Sequence, residues 1–100
     1  MSRPRICRRV RFKPGTTYFK PRGIPLRYLN EVVLTFEESE SLRLIDLENT
    51  EQSKASKMME VSQPTFSRIL KIARKKVSDA IINGKAIRIE GGHYRFHGFR

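Results

Sequence analysis

The sequence predicts a mainly helical fold with a small β part: a helix-turn-helix flanked by a basic, extended N-terminal arm and a C-terminal β-hairpin, in the style of a winged helix. Three observations carry this. Residues 51–83 hold two helical apolar patterns on either side of a tight turn. Residues 1–30 hold Pro4, Pro14, Pro21 and Pro25 with Gly15 and Gly23, which bar a long helix. Residues 87–96 alternate apolar and charged side chains around Gly91-Gly92. The organisation that follows is an arm over 1–30, a helix-turn-helix core over 31–84 and a hairpin with tail over 85–100.

In the arm, Ile6, Val10 and Phe12 alternate with Arg9 and Arg11, as in a short strand with a basic outer face. Tyr18-Phe19 suggests a second extended piece, ending at Lys20-Pro21. The character changes at Val32. Thr35 followed three residues on by Glu38 is a capping box, and Glu37, Glu38 and Glu40 fall where the helix dipole favours negative charge. Leu42, Leu44, Ile45 and Leu47 supply an apolar stripe, Asn49 can stop the helix, and Thr50 offers an N-cap for a short helix through Met59.

The stretch from Glu51 to Lys71 carries the most information. Ala55 and Met59, four apart, face inward, and Ser56 is small enough for close helix approach. Val61 plugs the turn, Ser62 caps the next helix, and Pro64 falls in its first turn, where a missing N–H costs little. Phe66, Ile69, Leu70, Ala73, Val77, Ala80 and Ile81 then follow helical spacing into the core, and Asn83-Gly84 is a natural stop. Glu60 occupies the turn position where glycine is usual, and a left-handed residue there costs on the order of 1 kcal/mol. Beyond it, Ile87 and Ile89 alternate with Arg88 and Glu90, and Tyr94 and Phe96 with Arg95. The hairpin so formed reads either as a wing with Arg88 and Arg95 on phosphates or as a cover for the core.

Charge narrows the function. Lys and Arg number 21 against 10 Asp and Glu, for a net +11, which marks polyanionic partners. Residues 1–30 hold nine basic residues and no acid, 31–60 hold eight acids, and 61–100 return to nine basic residues. The ends therefore read as a phosphate-facing surface, and the acidic middle as a solvated helix face or a protein-contact surface. No apolar run approaches a membrane span or a secretory signal. The single cysteine, Cys7, cannot make an internal disulfide, so a reducing cytoplasm is the expected compartment.

The outer face of helix 63–83 is the candidate site. Gln63, Thr65, Ser67, Arg68 and Lys71 remain outward: Gln pairs bidentately with adenine, Arg with guanine, and small hydroxyls permit close approach. Arg74, Lys75 and Lys76 further along, the N-capping Ser62, and Arg8, Arg9 and Arg11 in the arm suit phosphates, with Arg88 and Arg95 beside them. Cys7, His93 and His97 lack the paired short spacing of a zinc site, so no metal is expected. No nucleophile–base set and no glycine-rich phosphate loop is visible, so neither catalysis, a cofactor nor a small-molecule substrate is expected. Tyr18, Phe19, Tyr94 and Phe96 could stack on unpaired bases, which keeps RNA as an alternative partner.

Several blocks carry a family resemblance: Tyr18 to Leu26 (YFKPRGIPL), Glu31 to Thr35 (EVVLT), Leu42-Arg43-Leu44 with Asp46-Leu47-Glu48, Val61-Ser62 with Thr65-Phe66 and Arg68-Ile69-Leu70, and Gly84-Lys85-Ala86 with Arg88 to Gly92 and Tyr94. Across nearly its whole length the chain resembles the small bacterial and archaeal proteins grouped as domain of unknown function 134. These are called predicted DNA-binding proteins, with a helix-turn-helix similar to region 4 of bacterial sigma factors. The resemblance implies a sigma region 4-like fold and binding to double-stranded DNA. Residues and resemblance together lead to the expectation of a sequence-specific transcriptional regulator, as a homodimer because one helix-turn-helix rarely buries enough surface alone. The alternative from another class is an adaptor docking on RNA polymerase through the acidic middle.

Overall fold

A computed structural model describes residues 8–92 and 94–96. The chain runs β1 (Arg8–Val10), β2 (Tyr18–Phe19), a 3-10 turn (Leu26–Tyr28), β3 (Glu31–Leu34), α1 (Phe36–Leu42), a π-turn (Arg43–Leu47), α2 (Gln52–Met58), α3 (Gln63–Asn83), β4 (Ala86–Ile89) and β5 (Tyr94–Phe96). This is the mainly helical helix-turn-helix with a small β part that the residue patterns predict.

Local signals place the helix ends. Thr35 accepts from the Glu38 amide while the Glu38 carboxylate accepts from the Thr35 amide at 2.9 Å, closing both halves of the capping box. Asn49, at φ 59°, ends the first helical stretch, and Gly84, at φ 66°, ends α3. Two details differ. The N-cap of α2 is Glu51 with no side-chain cap, and Thr50 lies outside the helix, its amide donating to Leu44 O across the π-turn at 2.8 Å. The same π-turn closes from the Glu48 amide to Arg43 O (2.8 Å) and shifts the helical register, so Leu44 is buried but Leu47 points to solvent.

Two apolar clusters hold the layers together. Leu44, Ala55, Met59, Phe66 and Leu70 fill the helix-turn-helix, with Met58 and Val61 against them. Leu34, Phe36, Ala73 and Ile89 join the middle of α3 to the three-stranded sheet, whose order is β2-β4-β3. Ile81, expected in the core, is exposed, although Ala80 beside it is buried.

The C-terminal pair is not a hairpin. β4 pairs parallel with β3 (Val32 opposite Ile87) and antiparallel with β2, while β5 pairs parallel with β1 (Arg9 opposite Arg95) in a separate sheet. Gly91-Gly92 is instead a crossing over the start of α1, where the Phe36 amide donates to Gly91 O at 3.1 Å. At Gly92, φ is 106°, and a Cβ would collide with the Glu37 carboxylate and come within 2.9 Å of the Thr35 Cβ. Glycine is needed there for approach, not for a two-residue turn. With β4 inside a sheet, the wing reading of 85–100 loses its geometry.

Glu60 adopts the left-handed conformation its position demands, φ 59°. Its carboxylate reaches Arg9 at 3.4 Å, but both side chains are substantially exposed, so the pair contributes little. Glu60→Gly is expected to stabilise the protein by about 0.5–1 kcal/mol and raise the melting midpoint by about 2–8 °C in a thermal melt. A lower midpoint would show that the carboxylate's contacts outweigh the backbone strain.

Candidate nucleic-acid interface

The start of α3 is built by its cap. Ser62 is extended (φ −70°, ψ 159°), its Oγ accepts from the Thr65 amide at 3.3 Å, and Pro64 occupies the first turn. This anchors the helix phase. Phe66, Ile69, Leu70 and Ala73 turn into the core, and Gln63, Ser67, Arg68 and Lys71 are left exposed on the opposite side. Thr65 is half-buried, and its Oγ1 accepts from the Arg68 guanidinium at 3.3 Å, which folds Arg68 back along the helix. The outer face thus carries amide, hydroxyl, guanidinium and ammonium groups on a rigid backbone.

The basic residues divide into engaged and available ones. Arg74 makes a two-pronged contact with Asp46 (2.7 and 3.2 Å); the guanidinium beside it holds the Asp46 carboxyl below its ordinary range, and Arg74 is raised in turn. Lys76 donates to Glu38 at 2.8 Å, Arg8 lies 3.2 Å from Glu37, and Arg88 lies 3.4 Å from Glu31 and 3.5 Å from Glu90. Arg8 and Lys76 are tied to buried carboxylates, whereas the pairs of Arg74 and Arg88 are exposed and contribute little. Lys75 and Arg11 are exposed. The Arg95 side chain, and Cys7, His93 and His97, lie outside the described residues; among the described ones no group of three His, Cys, Asp or Glu could hold a metal ion.

The arm is brought to the helix-turn-helix. The Arg9 amide donates to Met59 O at 2.9 Å, stitching β1 to the turn before α3, and Arg9 and Arg11 line a hollow of about 110 Å³ with Met58 and Glu40. Local patterns missed Lys54 and Lys57, both exposed on α2. Their three-residue spacing on the first helix of the motif, the one that faces a phosphate backbone in such folds, was the available signal.

The acidic middle is only partly a solvated face: Glu31, Asp46, Glu48, Glu51 and Glu60 are exposed, and the acids of α1 are not. Glu37, Glu38, Glu40 and Ser41 are buried. Glu40 accepts from Arg43 Nε and Nη2 (2.9 and 2.8 Å) and from the Arg11 amide (3.0 Å). Glu37, Glu38 and Glu40 of α1 therefore form an anionic hub that ties β1, the π-turn and α3 together. Elsewhere, Lys85 and Asn83 donate to Asp79 and hold its carboxyl below the usual range, while the Tyr18 hydroxyl donates to Glu31 at 2.6 Å, raising Tyr18.

A family profile described as "Protein of unknown function DUF134" matches residues 1–97. The chain belongs to the DUF134 family. Among DUF134 relatives, a UPF0251 protein of Moorella thermoacetica is 60% identical over 98 residues, covering 98% of this chain and 66% of that relative. A UPF0251 protein of Thermoanaerobacter pseudethanolicus is 57% identical over 97% of this chain and 82% of its own length. One from Desulforudis audaxviator is 55% identical, and the chain spans 63% of it. No solved structure matches the chain. No helix among the described residues is long and apolar enough to cross a membrane.

Proposed function

We propose that this DUF134 protein is a sequence-specific double-stranded DNA-binding protein of the cytoplasm, a transcriptional regulator acting as a homodimer that reads the major groove with α3. One observation carries the reading: Gln63, Ser67, Arg68 and Lys71 are exposed on the first two and a half turns of a helix whose opposite face is core. Arg68 and Gln63 are the base readers, with Thr65, Ser67 and Lys71 beside them. Lys75, Arg11 and the helix start at Ser62 contact phosphates, with Arg9 available by exchanging its exposed Glu60 partner for a phosphate. Lys54 and Lys57 join this set from α2.

Selection of bound fragments from genomic DNA at physiological salt is the test. A sharp recognition site supports the reading; sequence-independent retention that vanishes with salt sinks it. On the selected site, Arg68→Ala is expected to weaken binding by about 1–3 kcal/mol and relax preference at one base pair. Lys75→Ala should weaken all sequences alike and reduce the salt slope by about one. Gel-shift titrations at several salt concentrations separate the two behaviours.

The other readings lose support in particular places. An adaptor docking on RNA polymerase through the acidic middle is confined to its exposed acids, such as Asp46, Glu48 and Glu51, because Glu37, Glu38 and Glu40 are buried in internal pairs. RNA stacking on Tyr94 must compete with Phe36, whose ring centroid lies 5.0 Å from it.

A further inference from the structure

The end of the molecule opposite Gln63 has no role in the reading above. β2 and β3 lie on either side of β4, with Phe19 opposite Ile87 and Glu31 opposite Ala86, so the segment 20–30 that joins them crosses the start of β4. Both of its feet are held at the end of α3. Pro21 walls a groove together with Ile81 and Gly84, and Asn30 O accepts from the Ala86 amide at 2.8 Å. Its middle is braced by a 3-10 turn, in which the Tyr28 amide donates to Pro25 O and the Leu29 amide to Leu26 O, both at 3.0 Å.

This end shows two kinds of side chain to water. Leu26 is 61% exposed and Tyr28 69%, and on the last turn of α3 Ile81 is 71% exposed and Ile82 80%. Lys20, Arg22 and Arg27 are interleaved with the apolar side chains of the segment and are exposed too. Among the described residues no carboxylate pairs with any of these three cations. Lys20 donates to Pro21 O at 2.9 Å, and the Arg27 guanidinium lies 4.8 Å from the centre of the Tyr28 ring. Glu31 and Asp79, the acids of the flanking elements, are taken by Tyr18 and Arg88 and by Asn83 and Lys85.

We infer that this end is a membrane-attachment surface that takes the face of an anionic lipid bilayer. Its two kinds of side chain need different partners. Phosphates of a nucleic acid would satisfy the cations and leave Leu26, Ile81 and Ile82 against a charged backbone. An anionic bilayer satisfies both at two depths: headgroups take Lys20, Arg22 and Arg27, and the hydrocarbon beneath them takes the leucine and isoleucines. Tyr28 offers a ring to the lower layer and a hydroxyl to the upper one. The apolar side chains project from separate segments, which a fluid surface accommodates without a matching shape. Gln63 lies about 28 Å along α3 from Ile82, so a chain held by this end keeps the start of α3 clear of the lipid. None of this depends on the DNA reading.

Flotation with vesicles at physiological salt tests it, with equal parts of phosphatidylglycerol and phosphatidylcholine set against phosphatidylcholine alone. The native chain is expected to float with the first and not with the second. A net charge of +11 draws any face of the chain toward anionic lipid, so local substitutions decide. Arg22→Ala with Arg27→Ala should weaken partitioning roughly 30-fold, equivalent to about 1 kcal/mol for each cation. Leu26→Ser and Ile82→Ser leave the charge as it is and should each weaken it about 10-fold, as if about two CH2 groups left the hydrocarbon. All four side chains are exposed, so an unchanged circular dichroism melt is expected and separates loss of contact from loss of fold. In a Cys7→Ser background, an environment-sensitive dye on Leu26→Cys should shift to the blue on the vesicles, whereas one on Gln52→Cys should not.

A native chain that stays with the buffer, or floats equally with both lipids, overturns the inference. So does flotation indifferent to Leu26→Ser and Ile82→Ser, or a dye that shifts at Gln52→Cys alone. Leu26→Ser losing as much affinity for duplex DNA as for lipid would make this end a nucleic-acid surface and overturn it too. A chain that floats as expected but selects no DNA site supports the inference and overturns the DNA reading alone; one that selects a site but stays with the buffer does the reverse.

Discussion

Phe66→Ala is expected to destabilise the protein by about 3–5 kcal/mol, the cost of emptying a fully buried aromatic site that its neighbours cannot refill. Phe66 is completely buried and sits where α2, α3 and the π-turn converge, against Leu44, Ala55, Met59 and Leu70. These neighbours come from separate elements held apart by the turn at Glu60, so collapse onto the cavity would require rotating α2 against α3. At roughly 4–8 °C per kcal/mol, the melting midpoint should fall by at least about 12 °C. Domains of this size have only about 5–15 kcal/mol in total, so much of that stability is removed. Denaturant titration gives the number directly, and a loss below 1 kcal/mol would contradict the packing described. Any DNA affinity should weaken in parallel, because the angle between α2 and α3 sets which side chains of α3 face outward.

Glu40→Ala is the second large expectation, at about 3 kcal/mol. The carboxylate is 2% exposed and accepts three hydrogen bonds, two from Arg43 and one from the Arg11 amide. Its removal strands a guanidinium and a backbone donor together. Arg43 retains Glu48 at 3.7 Å and some water, which keeps the cost at the low end for a broken buried pair. Chemical denaturation of Glu40→Ala against Glu40→Gln separates the parts: glutamine keeps one acceptor oxygen for the Arg11 amide and should lose less. A Glu40→Ala variant as stable as the native chain would mean that the carboxylate is a solvated surface group. The consequence reaches function, since charge reversal at Glu37 or Glu40 cannot test an adaptor role cleanly; the change would loosen β1 and α1 before any partner was met.

The contrast between Ser62 and Glu37 shows what was readable along the chain. Ser62, Pro64 and Gly84 bound α3, and Thr35 with Glu38 starts α1, because caps and stops act between residues three or four apart. The outward set Gln63, Ser67, Arg68 and Lys71 follows from the helical repeat once the apolar face is known. Glu37 gives no such sign: its partner Arg8 is on another element, and Glu38 finds Lys76 38 positions away. An acid in a first helical turn looks the same whether it faces water or a distant cation, so the burial of Glu37 and Glu38 could not be read from it.

Identity and spacing of residues thus settled the caps of α1 and α3, the stop at Gly84 and the outward set at the start of α3, since those depend on short-range hydrogen bonds and on a 3.6-residue period. The folded chain alone decided the strand partners. Alternation around two glycines describes a hairpin and two strands in separate sheets equally well, and β4 went between β2 and β3 while β5 went beside β1 because packing on α1 and α3 brings them together. It also decided which cations are bound and which remain available, because an ion pair depends on distance in space, and distance along the chain carries no record of it.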